Sequence, residues 1–286
     1  MTGITHILFP FDFSSPAEDA ARFVKGLALH FQATITLYSV MPPAFDAAPD
    51  GLGERLSDDP EEWKQQLQSR LDHALPGQFR GVTVNRIADC GDPALRIVHF
   101  AEEHGVDLIM MPTRGRGLFR RLLVGSVTAK VLHDAKVPVW TAAHCDAPVA
   151  QPAPATVLCA VDGDTRTPAL LRWAAEFCGS CGAALQVLHV AAPVTDIAWL
   201  ESERQRQEQF RQYESNRVEA ICRDSGIEAP LQVVVGEVGP TVADVVRRSG
   251  VDLTIIGRGS ISEPFGRLRT QAFAIIQRSL CPVVSV

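Results

Sequence analysis

The feature that most constrains this chain is a long internal repeat. Residues 7–12 (ILFPFD) align with residues 157–162 (VLCAVD), and the pattern of residues 33–40 recurs at the same offset of 150. Further along, GVDLI at residues 105–109 recurs as GVDLT at an offset of 145, so the second copy carries small deletions. A period this long predicts a duplicated domain, because the repeats of solenoid proteins are several times shorter.

Prolines interrupt the sequence between the two copies. Pro148, Pro152 and Pro154 stand in a stretch without apolar periodicity, which is typical of a stiff linker. We therefore predict a first domain over residues 1–143, a linker over 144–154 and a second domain over 155–286.

Apolar runs and helical patterns alternate within each copy. In the first copy the predicted strands span residues 5–11, 34–40, 82–88, 107–111 and 137–142, and the predicted helices span 16–31, 60–75, 93–104 and 125–134. Near-continuous apolar runs are typical of strands buried on both faces, which favours a mainly parallel sheet flanked by helices. The second copy repeats the pattern, with one long charged helix over residues 195–224. The predicted fold class is therefore α/β, as two tandem doubly wound domains.

Composition narrows the classes of function. The net charge is −6, so a generic nucleic-acid-binding surface is not predicted. No apolar stretch reaches the roughly 20 residues of a membrane helix, and the N-terminus lacks the charged start of a signal peptide, which favours a cytoplasmic protein. The seven cysteines are odd in number and scattered, so no disulfide framework is predicted. Cys178 and Cys181 have the spacing of a redox or metal pair, but they end a predicted helix without a second pair, which favours structural thiols.

The segments that follow the strands are the candidate site, because ligands of a doubly wound sheet bind beyond the carboxyl ends of its strands. Asp12 follows the first strand, where its carboxylate can accept hydrogen bonds from a ribose or an amine. The alternative is that Asp12 or Ser15 is the N-terminal cap of the following helix. After the fourth strand comes a glycine-rich segment, residues 112–127, that leads into a helix. Its bare N–H groups, the positive helix end and its arginines favour a phosphate, and the alternative is a mobile surface loop with solvated arginines. These arginines are Arg114, Arg116, Arg120 and Arg121.

The spacing of this segment carries a family resemblance. Gly115 is followed, after nine residues, by Gly125 and Ser126, which fits the second part of the G-x2-G-x9-G-[ST] motif of the universal stress protein family. Pro112 stands where the motif has its first glycine. Residues 7–14, 91–93 and 127–139 also resemble that family. The resemblance covers nearly the whole chain, twice over, and implies the strand order 3-2-1-4-5 of adenine nucleotide alpha hydrolase-like domains.

Because members with the full motif bind ATP, the resemblance implies an ATP site in the first domain only. Adenosine would be lined by Pro10, Phe11, Asp12 and Val40, and the phosphates would be held by Gly115, Arg116, Gly117, Gly125, Ser126 and Val127, with Pro112 and Arg114 completing the segment. Pro112 has no backbone N–H, so one donor is lost and binding is expected to be weakened rather than abolished. Asp12 is also the candidate ligand of a Mg²⁺ ion accompanying ATP, and no other metal ligand is predicted.

The second copy departs further from the motif. It keeps Gly257, but Ser260 replaces the second glycine and Arg269 or Thr270 the third. A β-carbon at these positions would crowd a phosphate, so we expect the second domain to bind nucleoside triphosphate poorly and to serve as a partner for the first. By the family resemblance, the last strands of the two copies would pair as an intrachain pseudo-dimer, with a homodimer as the alternative.

Three functions are compatible with these patterns. The first is a cytoplasmic stress-response protein that binds an adenine nucleotide and acts through ligand occupancy. The second is a stress-response scaffold or interaction protein that binds no nucleotide, which Pro112 and the degenerate second copy favour. The third is a weak Mg²⁺-dependent ATPase. The sequence shows no Ser-His-Asp order, no paired catalytic carboxylates and no nucleophile elbow, so no catalytic residue is predicted and turnover would be slow at most. Neither a nucleic acid nor a membrane is expected as a partner.

Overall fold

A computed structural model describes residues 3–42, 60–113, 124–142, 153–192, 200–258 and 270–286. The chain divides into two compact units that span mainly Gly3–Ala142 and Pro154–Val286. The predicted linker, residues 144–154, lies almost wholly outside the described residues and stays a prediction. None of the helices in the described ranges combines the length and the apolar character that a membrane crossing requires.

The first unit is a parallel α/β sheet with the strand order β3-β2-β1-β4-β5 in its described residues. Its elements in chain order are β1 His6–Pro10, α1 Ser15–Phe31, β2 Thr34–Met41, α2 Pro60–Asp72, β3 Val84–Cys90, α3 Pro93–Glu103, β4 Leu108–Pro112, α4 Ser126–Asp134 and β5 Val139–Ala142. The strand order implied by the family resemblance is confirmed. The third strand begins two residues later than its apolar pattern predicts, and the helix before it ends at Asp72 rather than at residue 75.

The central strand shows why this sheet forms. Ile7, Leu8 and Phe9 of β1 are completely buried, which requires cover on both faces of the sheet. In the parallel register Ile7 stands opposite Ile35 of β2 on one side and Leu108 of β4 on the other. Because β1 is the switch point between its two neighbours, the residues just beyond its carboxyl end lie where doubly wound sheets bind ligands.

The second unit repeats this architecture, with the strand order β10-β9-β6-β7-β8 in its described residues. Its elements are β6 Thr156–Val161, α5 Thr167–Cys181, β7 Ala184–Ala191, α6 Leu200–Asp224, β8 Leu231–Val235, α7 Val238–Ser249, β9 Leu253–Ile256, α8 Thr270–Arg278 and β10 Val283–Ser285. The main difference between the copies is α6, which has 25 residues where α2 has 13. The predicted long helix is present from Leu200 onward, and residues 195–199 lie outside the described residues.

Candidate functional site

A cavity of about 360 Å³ lies at the carboxyl ends of β1, β2 and β4 in the first unit. Eight of the residues predicted for the nucleotide site line it, namely Pro10, Phe11, Asp12, Val40, Pro112, Gly125, Ser126 and Val127. The other predicted residues, Arg114, Gly115, Arg116 and Gly117, lie outside the described residues. The fold thus brings together residues from both ends of the first copy, and whether they bind a nucleotide stays a prediction.

Asp12 lies at the end of β1 with its carboxylate half engaged. Its Oδ1 accepts hydrogen bonds from the Ser14 N–H, 3.1 Å away, and from the Ser14 hydroxyl, 2.5 Å away. The helix cap predicted at Asp12 or Ser15 is wrong, because Ser14 is the N-cap of α1 and accepts the Ala17 N–H at 3.3 Å. Asp12 contributes to the cap indirectly, because it accepts the hydrogen bond that orients the Ser14 hydroxyl. Within the described residues its second oxygen, Oδ2, accepts no hydrogen bond, so it is available to a donor in the cavity.

The N-terminus of α4 forms the opposite wall of the cavity. Gly125 is its N-cap and supplies no side-chain cap, and the first backbone bond of the helix runs from the Ala129 N–H to the Gly125 carbonyl at 2.8 Å. The N–H groups of Ser126 and Val127 therefore make no bond within the helix, and they lie at its positive end. This arrangement suits an anion.

Pro112 closes β4 beside this helix end. It is buried, and its carbonyl accepts a hydrogen bond from the Thr128 hydroxyl at 3.2 Å. This bond ties the strand end to the first turn of α4. The residue that removes one N–H donor from the motif therefore still positions the helix that carries the remaining donors.

Sequence reasoning missed the contribution of α2 to this cavity. Arg70 of α2 lies over the Phe13 ring, with its Cζ 4.1 Å from the ring centroid, and Phe13 in turn packs edge-on against Phe11 at 4.9 Å. Phe13 adopts the left-handed φ of 59°, which turns its ring back toward the cavity. Arg70 and Phe13 both line the site. No motif marks Arg70, because it is one charged residue among many on a polar helix.

Tyr38 of β2 also lines the cavity, and a hydrogen bond to Asp89 of β3 fixes its side chain. It is buried, and its hydroxyl donates to Asp89 Oδ2 at 2.6 Å, while Arg96 pairs with the other carboxylate oxygen at 2.8 Å. Burial, followed by the hydrogen bond to Asp89 and its charge, raises the pKa of Tyr38 far above its usual range. Burial also acts to raise the pKa of Asp89, but the hydrogen bonds from Arg96, Tyr38 and the Cys90 N–H outweigh it and lower that pKa.

We expect Tyr38 to stay protonated as long as the first unit is folded. Because its folded pKa lies above the usual value of about 10, its contribution to stability is fully present below about pH 10 and is lost as the pH rises further. The phenolate absorbance of Tyr38 is the difference between the alkaline titrations of the wild type and of Tyr38→Phe. This absorbance should appear at the pH at which circular dichroism shows that the protein unfolds. Its appearance near pH 10 in a protein that is still folded would contradict this.

The cysteine pair of the second unit is held in the thiol form by burial. Cys178 is buried and Cys181 half-buried at the end of α5, and burial raises the pKa of Cys178 to about 12 and that of Cys181 to about 11. Both are therefore thiols at neutral pH, and only thiolates attack disulfides or bind metals readily. Across the described ranges no group of three or more His, Cys, Asp or Glu side chains converges so as to hold a metal ion.

A duplicated, doubly wound α/β domain with a cavity at its strand ends defines a class of tandem α/β proteins whose site lies at the topological switch point. Within that class, this chain belongs to the universal stress protein family. The sequence profile of that family matches residues 3–142 and 155–286, which is one match for each unit.

Individual relatives agree with this assignment. A universal stress protein from Synechocystis sp. is 35% identical over 136 residues, which cover 46% of this chain and 82% of the relative. Universal stress protein MJ0577 from Methanocaldococcus jannaschii is 31% identical over 151 residues, which cover 46% of this chain and 91% of that protein. Among solved structures, a universal stress protein from Archaeoglobus fulgidus superposes with a TM-score of 0.68 over 99% of this chain and 96% of its own, at 21% identity. That similarity shows the shared two-copy fold.

Proposed function

We propose that this universal stress protein binds an adenine nucleotide, ATP in the first instance, in the cavity of its first unit and acts through occupancy of that site. The observation that carries the proposal is the convergence on one cavity of residues from three strand ends and a helix N-terminus. They supply an apolar body, a carboxylate and backbone N–H donors, which are the groups that a nucleotide needs.

Each part of the cavity suits one part of the ligand. Phe11, Val40 and Ile97 offer an apolar surface for a purine ring. We place the ribose where one of its hydroxyl groups donates a hydrogen bond to Asp12 Oδ2, and the phosphates at the N-terminus of α4, where its free N–H groups bind them. Because Pro112 removes one donor, the affinity should lie below that of a site with the full glycine motif.

Turnover is not part of this proposal. Asp12 is the one carboxylate among the described lining residues, and no histidine lines the cavity with it. One carboxylate together with the nucleotide's own phosphates is a common ligand set for Mg²⁺, so such an ion is the alternative partner of Asp12 to the ribose hydroxyl. Within the described lining no histidine or second carboxylate stands beside Asp12 to activate water, so we assign no hydrolysis to this site.

The duplicated fold provides a matched test. Val40 at the end of β2 and Val190 at the end of β7 occupy the same position in the two copies, and each lines its own unit's cavity. Val40→Phe should fill the first cavity and weaken Mg-ATP binding by roughly tenfold or more, whereas Val190→Phe should leave it unchanged. Calorimetric titration of the full chain, with analysis of adenine nucleotide released on denaturation, checks this.

The alternatives are outcomes of the same experiment. Wild-type protein that neither releases adenine nucleotide nor binds added Mg-ATP would favour the scaffold, with Pro112 as the decisive residue. Binding that survives Val40→Phe but is lost in Val190→Phe would move the site to the second unit. The cytoplasmic location, the pairing of the two copies and the homodimer stay predictions.

A further inference from the structure

The second unit contains a cavity that its degenerate motif does not predict. It measures about 440 Å³ and lies at the carboxyl ends of β6, β7 and β9. Thirteen of its twenty lining residues are aliphatic or aromatic. A volume of this size falls in the range of pockets that hold drug-sized organic molecules. The second unit therefore has room for a ligand of its own.

This cavity is displaced from the position of the first. The two share the strand ends and the third helix of their unit, where Val238 and Val242 of α7 take the places of Pro93 and Ile97 of α3. The helix before the last strand, α4 in the first unit and α8 in the second, lines both cavities as well. The difference is that α2 completes the wall of the first cavity, whereas α5 completes that of the second.

Side chains of α5 give the displaced part an apolar and aromatic wall. Leu170 and Trp173 line it, and Trp173 is stacked nearly parallel on Phe177, with ring centroids 5.4 Å apart and an interplanar angle of 8°. Gly257 lines it as well, and a β-carbon there would approach Leu170 Cδ2 to 3.4 Å. This part of the wall is therefore formed by a flat indole ring that is supported by Phe177.

The charges at its rim are largely neutralised by one another. Asp164 Oδ2 accepts from Arg166 Nε at 3.0 Å and Nη2 at 2.6 Å, and its Oδ1 accepts from the Arg166 N–H at 3.0 Å. The other two charged lining residues, Asp162 and Arg258, have opposite signs and end neighbouring strands. Among the described lining residues the two acids and two arginines sum to zero, so these side chains provide no net charge for a polyanion.

The phosphate-binding end is also altered. In the first unit Gly125 precedes α4, whereas in the second Arg269 stands directly before α8, which begins at Thr270. In the sequence the second copy thus lacks the glycine that precedes α4 in the first, and the described lining of its cavity is mainly apolar.

We propose that the second unit binds a flat, uncharged and largely apolar organic molecule, with its ring system beside Trp173. The site does not depend on nucleotide binding in the first unit. Apolar walls provide the affinity, and the neutral rim selects against triphosphates.

The full chain can be tested with the uncharged aromatic dye N-phenyl-1-naphthylamine, which fluoresces in apolar surroundings. One dye per chain should bind, with energy transfer from tryptophan. Val190→Phe should weaken the dye by roughly tenfold or more, whereas the matched Val40→Phe should not change its affinity. Trp173→Phe should keep the dye bound but remove most of the energy transfer.

Several results would overturn the proposal. These are no dye bound by the wild type, an unchanged affinity in Val190→Phe, or displacement of the dye by Mg-ATP in the Val40→Phe chain. Should Val190→Phe fail to fold, Ala169→Phe replaces it, because Ala169 lines the cavity from an exposed position on α5 and should weaken the dye equally. Since the dye and Mg-ATP report on different cavities, failure of this proposal is distinguishable from failure of the nucleotide site.

Discussion

Replacing Glu214 by alanine is expected to destabilise the second unit by about 2–4 kcal/mol, because it removes the buried acid that pairs with Arg217 and contacts His189. Glu214 lies on α6 and is 8% exposed. Its Oε2 lies 2.9 Å from Arg217 Nε and 3.3 Å from His189 Nε2. On its other side, His189 Nδ1 contacts the Val161 carbonyl at 2.9 Å. The cluster joins α6 to β7 and to the end of β6.

The same helix supplies a control. Glu208 and Arg211 form a pair with the same spacing as Glu214 and Arg217, but they lie on the solvated part of α6. Exposed pairs of this kind contribute little, so Glu208→Ala should not measurably change stability. Urea unfolding, with hydrogen exchange of peptides from α6 and β7, locates the effect in the second unit. Equal behaviour of the two variants would show that burial of Glu214 does not matter to the fold.

The alternation of strands and helices could be predicted because it depends on local patterns. Buried strands such as β4, Leu108–Pro112, are nearly continuous apolar runs, and Pro60 and Pro93 begin the helices that they mark. The predicted end of α2 lies three residues too late and the predicted start of β3 two residues too early, because the sequence between them has no strong apolar period. The internal repeat supports the assignment of these strands and helices, because the same pattern occurs in both copies.

Interactions between elements that are distant in the sequence could not be predicted in this way. His189 contacts the Val161 carbonyl, 28 residues earlier in the chain, and Glu214, and the second contact depends on where α6 packs. The charged sequence of α6 indicates a solvated face, and it hides the one glutamate that is buried. Arg70 was not predicted for a similar reason, because it is one charged residue among many on α2. The second cavity was not predicted, because its lining comes from six separate helices and strands and no sequence motif marks a cavity.

Substituting Gly163 by alanine is expected to cost about 2–3 kcal/mol, which is more than its backbone conformation alone explains. Gly163 follows Asp162 after β6 and has a φ of +72°, a left-handed conformation that side chains disfavour. A β-carbon there would lie 2.6 Å from Arg217 Nη2, while Arg217 also donates to the Gly163 carbonyl. The guanidinium can yield only by giving up that bond and its pairing with Glu214.

Gly250→Ala isolates the backbone part of this effect. Gly250 is the left-handed C-cap of α7, with a φ of +61°, and a β-carbon there meets nothing within 4 Å. It should therefore cost only about 1 kcal/mol. Phe13, the counterpart of Gly163 in the first copy, also has a left-handed backbone, and there Arg70 of α2 stacks on its ring.

A double substitution separates the steric part from the rest. Once Glu214→Ala has released Arg217, the guanidinium can move away, so Gly163→Ala in that background should cost no more than Gly250→Ala does. The two changes should thus be less than additive by about 1–2 kcal/mol, as expected for residues that share a partner. Simple additivity in urea unfolding would mean that Arg217 does not link the turn after β6 to α6. Coupling of the expected sign would show that the second unit fixes the first turn of its ligand cavity through a charged cluster, where the first unit uses an aromatic ring and a cation.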